Sequence, residues 1–532
     1  MSREQGSRAI IKNGQWLGPC VLASMLALGA CTRSDLRPDY VKEPSATIPA
    51  HADSPLVEYA NRVSSNHGDN SGLVLLSDSM DALLARVVLA DRAKYSIDLQ
   101  YYLFHSDATG KLLAQHLIAA ADRGVRVRIL LDDLHMAGKD DVLRALDGHP
   151  GIDIRLFNPF HERTGSMWGM GKQFAGDFSR LNRRMHNKSF IVDSALAVVG
   201  GRNIGDEYFD VAGDVNFRDL DVLVVGPVIA QITRSFDTYW NSTPSVPIAA
   251  FRHDSTKPTE FSAIREALAK NAREIGQTEY ANRAIARIGD VSRQDTTEKW
   301  DWGETTFVAD DPDKVNPDVD PHDLHLTPRI REWLDGAQHR IVLVSPYFVP
   351  GDKGVAYLQQ RRAAHVEVSV LTNSLSSTDA DNVYAAYATY RPPLLASGVL
   401  MYELKPDAAR RSTSSAGIGL SASSLHAKVM IVDDDRSFVG SMNLDPRSAS
   451  LNTEDGVLVT SETLAKKLND LFKLGTAPEV TYRVLLKPDG KNVYWETTAD
   501  GKAVLYDDAP QTSSWRRLKA SMTRLFPIEG LL

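Results

Sequence analysis

Cysteine is almost absent from this chain, which has two cysteines among 532 residues. This count argues against a small fold stabilised by disulfides. Beyond the N-terminal region, no stretch has the roughly 18 consecutive apolar residues that predict a spanning helix, which argues against a polytopic membrane protein. Basic residues are also outnumbered, because the chain has 60 Lys and Arg residues and 68 Asp and Glu residues, which gives a formal net charge of −8. The sequence therefore lacks the electrostatic signature of a dedicated nucleic-acid-binding protein.

The length and composition are those of an ordinary globular protein with several domains. Hydrophobic residues make up 43% of the chain and aromatic residues 8%, which is ample material for a buried core. At roughly 150 residues per domain, the length allows roughly two to four domains.

The N-terminus has the pattern of a lipoprotein export signal. Arg3, Arg8 and Lys12 precede an apolar stretch over residues 16–30, which is shorter than the roughly 20 residues of a spanning helix. The stretch ends in Leu-Gly-Ala before Cys31, which resembles a bacterial lipobox. We expect residues 1–30 to be a signal peptide and Cys31 to carry the lipid. An ordinary secretory signal and an uncleaved anchor are the alternatives.

The region after this signal predicts attachment to a membrane surface. The other cysteine, Cys20, lies in the segment that would be removed, so the mature chain would form no disulfide. Residues 31–75 are rich in Pro, Ser, Asn and charge with little periodicity, and we expect a flexible tether there. The sequence thus predicts a membrane-anchored lipoprotein of the bacterial cell envelope that faces the periplasm, with inner or outer membrane left open.

An internal repeat is the most informative feature of the sequence. The pattern H-x-K-x-x-x-x-D occurs twice, and the same offset separates each aspartate from a turn that ends in asparagine. The residues concerned are His186, Lys188, Asp193 and Asn203 in the first copy and His426, Lys428, Asp433 and Asn443 in the second. Alignment of the flanking apolar runs sets Asp219 opposite Glu454. Two chance copies with the same offset would be very rare, so the repeat defines the architecture.

The repeat predicts an α/β fold with two tandem mixed-sheet domains related by pseudo-two-fold symmetry. We place the two domains at residues 76–250 and 326–475. Residues 251–325 contain many charged residues and Pro breakers and are predicted to be a connector. Residues 476–532 are predicted to form a hairpin, a further strand and a basic amphipathic helix.

The predicted C-terminal helix carries one apolar face and several basic residues. Trp515, Leu518, Met522 and Leu525 recur at helical spacing. Two interpretations remain open, since this face suits an anionic membrane surface but equally suits packing on the second domain.

The repeated histidines and lysines have the chemistry of a phosphodiester site. Residues two apart on a strand project to the same side, so each copy offers one imidazole and one ammonium group. If the halves face each other, one imidazole can attack phosphorus while the other protonates the leaving alkoxide. Lysine and asparagine donors can hold the non-bridging oxygens, and no metal or other cofactor is required.

Four acidic residues accompany these motifs. Asp219 and Glu454 are candidates to orient the histidines, because a nucleophilic imidazole needs an acceptor at its far nitrogen. Asp193 and Asp433 are candidates for catalysis or, alternatively, for anchoring the strand ends.

The paired motifs resemble those of the phospholipase D superfamily over residues 76–475. Within it, the chain is similar to bacterial cardiolipin synthases of the C-type in residues 201–209, 217–222, 515–517 and 525–529. The resemblance implies two phospholipase D-like domains with one shared active site and a phosphohistidine intermediate. It also implies a phosphatidyl transferase that makes cardiolipin, with phosphatidylglycerol as acceptor and phosphatidylethanolamine as a candidate donor. His186 is the expected nucleophile and His426 the expected general acid, because the superfamily usually uses the first copy.

Three other functions stay open at this level. A phospholipase D-type hydrolase would use water to release the phosphohistidine, and the motifs do not distinguish it from a transferase. A nuclease is disfavoured by the acidic charge, so no nucleic-acid partner is expected. A catalytically inactive membrane-tethered binding protein is disfavoured because all six motif residues are present. The sequence does not set the oligomeric state.

Overall fold

The computed structural model describes most of the chain outside the N-terminus. The described residues are 35–37, 39–136, 138–163, 167–212, 215–252, 260–278, 280, 282–283, 300–318, 325–407, 422–499 and 501–524. The predicted signal peptide, Cys31 and Leu525 of the predicted C-terminal helix lie outside these ranges. Within the described ranges, no helix is both long enough and apolar enough to cross a membrane.

The first half of the chain forms a mixed sheet of eight strands. In sheet order these are β1 (Ser71–Leu76), β8 (Asp221–Val225), β6 (Leu196–Gly200), β5 (Ser189–Val192), β2 (Ser96–Tyr101), β3 (Arg126–Asp132), β4 (Ile152–Phe157) and β9 (Ser245–Pro247). The neighbours β2, β3 and β4 run parallel, and the other neighbours are antiparallel. The central strands β2 and β3 are buried on both faces, and they bury polar side chains as well as apolar ones, such as Asp98 and Arg128, which form an ion pair at 2.7 Å.

The second half repeats this order and adds two strands. Its strands are β10 (Asp301–Ala309), β17 (Asp455–Thr460), β16 (Arg436–Gly440), β15 (Val429–Val432), β11 (Arg340–Val344), β12 (Glu367–Asn373), β13 (Leu400–Leu404), β18 (Thr481–Leu486), β19 (Val493–Ala499) and β20 (Lys502–Tyr506). A separate parallel pair joins β7 (Val215–Arg218) to β14 (Ala422–Leu425). The prediction of two tandem mixed-sheet α/β domains is confirmed.

Helices cover the sheets of both halves. In the first half they are α1 (Pro55–Ser64), α2 (Ser79–Arg92), α3 (Ala108–Asp122), α4 (Asp140–Asp147), α5 (Met167–Gly176), α6 (Phe178–Leu181), α7 (Ile229–Asn241) and α8 (Phe261–Ile275). In the second half they are α9 (Thr327–Asp335), α10 (Gly351–Ala363), α11 (Asp381–Ala396), α12 (Pro446–Ser450), α13 (Glu462–Gly475) and α14 (Ser514–Thr523).

The region predicted as a flexible tether is ordered against the first half from residue 35 onward, which corrects that prediction. Ser54 caps α1, whose apolar side chains join the core, and its hydroxyl donates to Asp193 Oδ2 at 2.6 Å. Thr47 donates its backbone N–H to Asp237 Oδ2 at 2.8 Å, and β1 pairs with β8 in the sheet. The segment lacks periodicity because its order comes from hydrogen bonds to distant residues, which local sequence patterns do not record.

The region predicted as a connector supplies a helix and a strand of the fold. Helix α8 packs on α3, where Arg265 Nη1 lies 2.8 Å from Asp122 Oδ2. Strand β10 pairs with β1 at its start and with β17 along the rest of its length, so both halves belong to one 18-stranded sheet. The second structural repeat therefore begins at β10 and not at residue 326.

Apolar residues from both halves also share one core. Val199 and Val222 of the first sheet are fully buried in the same cluster as Val439 and Val457 of the second. Helices α7 and α13 contribute to this cluster. Burial of apolar surface between the halves fixes their relative position, which the site described next requires.

Candidate active site

The backbone beside each motif histidine is held by the opposite half of the molecule. His186 N donates to Thr453 O at 2.8 Å, and His426 N donates to Arg218 O at 2.8 Å. The His426 contact adjoins the β7–β14 pair, and the His186 contact adjoins a bridge between Met185 and Thr453, so the chain crosses between the halves at both places. The two histidines are therefore brought to one cleft by the interface itself.

A carboxylate from the opposite half orients each histidine ring. His186 Nδ1 lies 2.8 Å from Glu454 Oε2, and His426 Nδ1 lies 2.5 Å from Asp219 Oδ2. A neutral imidazole that donates Nδ1–H to a carboxylate keeps the lone pair of Nε2 available for chemistry. Asp219 and Glu454 thus lie where orienting residues are needed, but each serves the histidine of the other repeat.

Both carboxylates are buried and remain ionised. Burial alone would raise their pKa values, but the adjacent histidines and lysines outweigh it and hold both pKa values below the ordinary range. Glu454 also accepts hydrogen bonds from the hydroxyls of Ser441 at 2.6 Å and Ser448 at 2.7 Å. Fixed donors of this kind lock the carboxylate in the geometry that holds the imidazole.

The motif lysines are buried beside the histidines. Lys188 Nζ donates to His186 O at 2.6 Å, whereas Lys428 Nζ lies 2.8 Å from His426 Nδ1 and 3.2 Å from His426 Nε2. Burial lowers the pKa of Lys428 to about 8 and also lowers the pKa of Lys188, which faces Lys428. Two buried lysines, of which Lys428 acts electrostatically on Lys188, favour binding of an anion such as a phosphodiester.

Burial also keeps both imidazoles neutral. It lowers the pKa of His186 to about 4, with further lowering by the charges of Lys188 and Lys428 against the opposing effect of Glu454. The pKa of His426 shifts in the same direction, first through burial and then through Lys428. A neutral ring suits a nucleophile, while the ring that acts as an acid would gain its proton once phosphate brings negative charge into the cleft.

The two motif asparagines differ in their surroundings. Asn203 Nδ2 donates to Tyr208 OH at 2.8 Å, and Asn203 Oδ1 accepts from Leu103 N at 3.2 Å. Asn443 is buried, and its Oδ1 has no hydrogen-bond partner in the part of the chain that the structure describes. The side chain of Asn203 is therefore already hydrogen-bonded within the protein, whereas Asn443 is the better candidate to bind a ligand.

The two motif aspartates lie at strand ends, which favours the anchoring role over the catalytic role among the two alternatives. Asp193 accepts hydrogen bonds from the backbone of Tyr95 at 2.8 Å and of Ser96 at 2.9 Å, at the start of β2. Asp433 accepts from the backbone of His339 at 2.7 Å and of Arg340 at 3.0 Å, at the start of β11. Both have positive φ, as tight turns between antiparallel strands require. Their carboxylates anchor the strands instead of facing the histidines.

Aromatic rings next to the histidines were missed by sequence reasoning. Tyr102 packs edge-on to His186 with ring centroids 5.1 Å apart. Tyr208 and Phe217 lie 5.2 and 4.9 Å from the His426 ring. The repeat did contain a signal, because Tyr102 aligns with Tyr347 at the end of the matched strands. These rings help to exclude water from the imidazoles.

One other group in the described ranges has the donor set of a cation site. Ligand atoms of His105, Asp107 and Glu207 lie within 4.8 Å of one another. Asp107 already caps α3 by accepting from Gly110 N at 3.0 Å. The histidine chemistry described above draws on none of these three residues.

Comparisons with known proteins agree with this geometry. The chain matches the family described as "Cardiolipin synthase, PLD-like domain" over residues 87–240 and 330–474, the two halves of the fold. It is 39% identical over 471 residues to cardiolipin synthase C of Escherichia coli K12, which covers 88% of this chain and 98% of that protein. It is 34% identical over 477 residues to an uncharacterized protein of Helicobacter pylori 26695, over 88% of this chain and 91% of that one.

A solved structure shows the same fold at low identity. The crystal structure of phosphatidylserine synthase from Haemophilus influenzae Rd KW20 has a TM-score of 0.51 and 13% identity, over 80% of this chain and 92% of that chain. The strand order of the two halves, the crossed histidine–carboxylate pairs and the match over both repeats lead to one assignment. The chain belongs to the family of cardiolipin synthases with phospholipase D-like domains.

Proposed function

We propose that this protein is a phosphatidyl transferase that makes cardiolipin from phosphatidylglycerol and a second phospholipid. The observation that carries this proposal is the crossed pair of buried His–carboxylate units with two lysines in one cleft, in a chain of the cardiolipin synthase family. Both imidazoles are buried, which limits access of bulk water to an intermediate. That burial supports transfer to a second lipid over hydrolysis.

In the first step, His186 Nε2 attacks the phosphorus of the donor lipid. The P–O bond to the headgroup alcohol breaks as the new P–N bond forms, and protonated His426 gives its proton to the departing oxygen. Lys188, Lys428 and Asn443 hold the non-bridging oxygens. The headgroup alcohol leaves, which is glycerol when phosphatidylglycerol is the donor and ethanolamine when phosphatidylethanolamine is the donor.

In the second step, the phosphatidyl group passes to the acceptor. His426, now neutral, takes the proton from a headgroup hydroxyl of phosphatidylglycerol, and that oxygen attacks phosphorus while the P–N bond breaks. His186 is regenerated and cardiolipin leaves. Glu454 stabilises His186 during both steps by accepting a hydrogen bond from its Nδ1–H, as Asp219 does for His426.

The surroundings of the two rings support His186 as the nucleophile. Lys428 Nζ lies 2.8 Å from His426 Nδ1 and 3.2 Å from His426 Nε2, so its positive charge makes a protonated His426 a stronger acid. Among the described residues, none forms a hydrogen bond with His186 Nε2.

Lipid analysis tests the reaction. Purified protein is added to phosphatidylglycerol vesicles, and the products are identified by mass spectrometry beside a His186→Ala/His426→Ala control. We expect cardiolipin and free glycerol with the wild-type protein only. Phosphatidic acid as the main product would establish a hydrolase, and no product would reject both activities.

A donor with a good leaving group tests the assignment of the nucleophile. Phosphatidyl-p-nitrophenol needs no acid catalyst, so His426→Ala should complete the first step and then stall without a base for the second. We expect a phosphatidyl adduct on His186 in this variant and none in His186→Ala. An adduct on His426 in the His186→Ala protein would reverse the two roles.

We also propose that a lipid on Cys31 anchors the enzyme to a membrane of the cell envelope, with the catalytic domains in the periplasm. The lipobox-like sequence before Cys31 supports this proposal. Cys31→Ser should accumulate as the unprocessed precursor, whereas Cys20→Ser should be processed normally. A mature N-terminus at another residue, or the absence of an acyl group on Cys31, would contradict it.

A further inference from the structure

We propose that helix α14 inserts an outward apolar face into an anionic bilayer and thereby holds the mouth of the active site against its lipid substrates. This inference rests on the proposed function, because it assumes that the substrates are membrane lipids. It names a contact surface that is separate from both the catalytic groups and the N-terminal anchor.

Helix α14 exposes its apolar side chains, whereas an ordinary amphipathic surface helix buries them. Its buried side is formed by Ala520, which is 2% exposed, and by the stem of Arg516. The apolar side chains instead face outward, with Trp515 73%, Leu518 49% and Met522 54% exposed. A helix normally buries its apolar stripe against the core, so the structure leaves this stripe for another apolar phase.

The charges beside this face match an anionic lipid surface. Residues 511–524 contain no Asp or Glu, although the whole chain carries a net charge of −8. Lys519, one position from Leu518, has a side chain that is 62% exposed and lies 3.6 Å from Asp381 Oδ2, and Arg517 lies 4.0 Å from Asp508 Oδ2 on the flank of the helix. Cationic side chains around a tryptophan-containing apolar face are typical of helices that lie in the headgroup region.

The helix is fixed to a loop that borders the catalytic cleft. Arg516 Nη2 donates to Thr378 O at 2.8 Å, and Arg516 Nε donates to Asp381 Oδ1 at 2.8 Å. Between these two residues, Asp379 accepts a hydrogen bond from Tyr347 OH at 2.7 Å. The negative charge of Asp379 also acts on the catalytic Lys428.

This location gives the outward face a specific consequence. A phospholipid keeps its acyl chains in the bilayer while its phosphate reaches the histidines. A helix that enters the headgroup layer next to the cleft would place the phosphates of the same leaflet at the entrance. The lipid on Cys31 would hold the enzyme near the membrane, and α14 would set which side of it faces the lipids.

Quenching of tryptophan fluorescence tests the contact directly. The full-length lipoprotein is incorporated into phosphatidylglycerol vesicles with brominated acyl chains and compared with Trp515→Phe in the same vesicles. We expect the brominated lipids to quench a component of the emission that Trp515→Phe lacks. Equal quenching in both proteins would show that Trp515 stays in water and would overturn the proposal.

A comparison of two substrates separates membrane docking from catalysis. The variant Trp515→Ala/Leu518→Ala/Met522→Ala is assayed on phosphatidylglycerol vesicles and on short-chain phosphatidylglycerol dispersed as monomers. We expect at least a tenfold loss of activity on vesicles and near wild-type activity on monomers. The matched control Val41→Ala/Val142→Ala/Leu474→Ala removes exposed apolar groups elsewhere and should keep both activities.

Each remaining outcome has a distinct meaning. If the helix variant keeps full activity on vesicles, the docking role is wrong while the transferase function stands. If it loses activity on both substrates at an unchanged melting temperature, the helix acts on catalysis and the docking role is again wrong. If the wild-type protein makes cardiolipin from neither substrate, the proposed function fails first.

Discussion

At the scale of single residues, the burial of His186 determines how activity should depend on pH. Its pKa lies near 4 where an ordinary histidine has 6.5, and the unprotonated ring is the nucleophile. As pH falls through 6.5, protonation of the nucleophile should therefore not yet lower kcat/KM, and this decline should come only as pH approaches 4. Because the pKa of His426 is also lowered and this ring must be protonated to act as an acid, the optimum of kcat/KM should be acidic.

Monomeric short-chain phosphatidylglycerol allows this pH profile to be measured without changes in vesicle structure. Circular dichroism at each pH serves as the control for folding. An acid limb centred near the ordinary histidine pKa would show that His186 is not held neutral by its surroundings.

The two buried lysines should not tolerate replacement by arginine. Lys188 and Lys428 present compact ammonium groups within hydrogen-bond distance of histidine atoms, and a planar guanidinium does not fit the same space. We expect Lys188→Arg and Lys428→Arg to lower kcat by about 10²-fold, comparable to the loss of one oxyanion donor. Lys188→Met and Lys428→Met, which keep the length but lose the charge, should be at least as impaired. Full activity in both arginine variants would mean that the lysines do not bind phosphate.

At the scale of elements, the segment that follows β10 positions a carboxylate of the active site. Asp310 Oδ2 accepts hydrogen bonds from Lys314 Nζ at 2.9 Å and from Glu454 N at 2.8 Å. Lys314 Nζ also donates to Ser448 O at 2.9 Å. This buried ion pair therefore positions Glu454 and one of the serines that bind its carboxylate.

Asp310→Asn should destabilise the protein by about 3–5 kcal/mol, because it leaves the buried Lys314 without its counter-ion. Urea unfolding at neutral pH measures the effect. The double variant Asp310→Asn/Lys314→Met should recover part of the lost stability, since it removes the unpaired charge. If the single variant unfolds at the same urea concentration as the wild-type protein, the Asp310–Lys314 ion pair does not stabilise the fold.

The sequence allowed most strands to be predicted but not β1 and β10, the two strands that join the halves. Central strands such as β5, β11 and β15 are short apolar runs, and the repeat identifies the central strands twice. In contrast, β10 begins Asp-Trp-Gly-Glu, and its partners β1 and β17 are distant in sequence. Since tertiary pairing decides such strands, local patterns give little signal.

The repeat points to the histidines, lysines and two carboxylates that lie together in the cleft, but not to which histidine each carboxylate contacts. Alignment of the repeats identifies Asp219 and Glu454 as equivalent residues, yet it carries no information about which histidine each one meets. The crossed pairing follows from the packing of the halves across the β7–β14 pair. The supporting Ser448 and Asp310 lie outside the repeated motif, so no pattern in the sequence marked them.

At the scale of the whole molecule, the crossed pairs make each half depend on the other. Each half supplies a histidine, a lysine and the carboxylate that orients the opposite histidine. The shared core and the continuous sheet hold the two halves of one chain together. The complete reaction site should therefore be intramolecular, whatever the oligomeric state.

Complementation between inactive chains tests this intramolecular site. His186→Ala and His426→Ala proteins are coexpressed in equal amounts, purified together and assayed for cardiolipin synthesis. We expect no activity above the sum of the two single variants, because neither chain contains both histidines and the shared core prevents exchange of halves. A mixture of wild-type protein with the double variant His186→Ala/His426→Ala, which should keep about half of the wild-type activity, is the matched control. Recovery to about a quarter of wild-type activity is the value for histidines that meet across a randomly assembled dimer. That result would move the active site from the interface between the halves to an interface between chains.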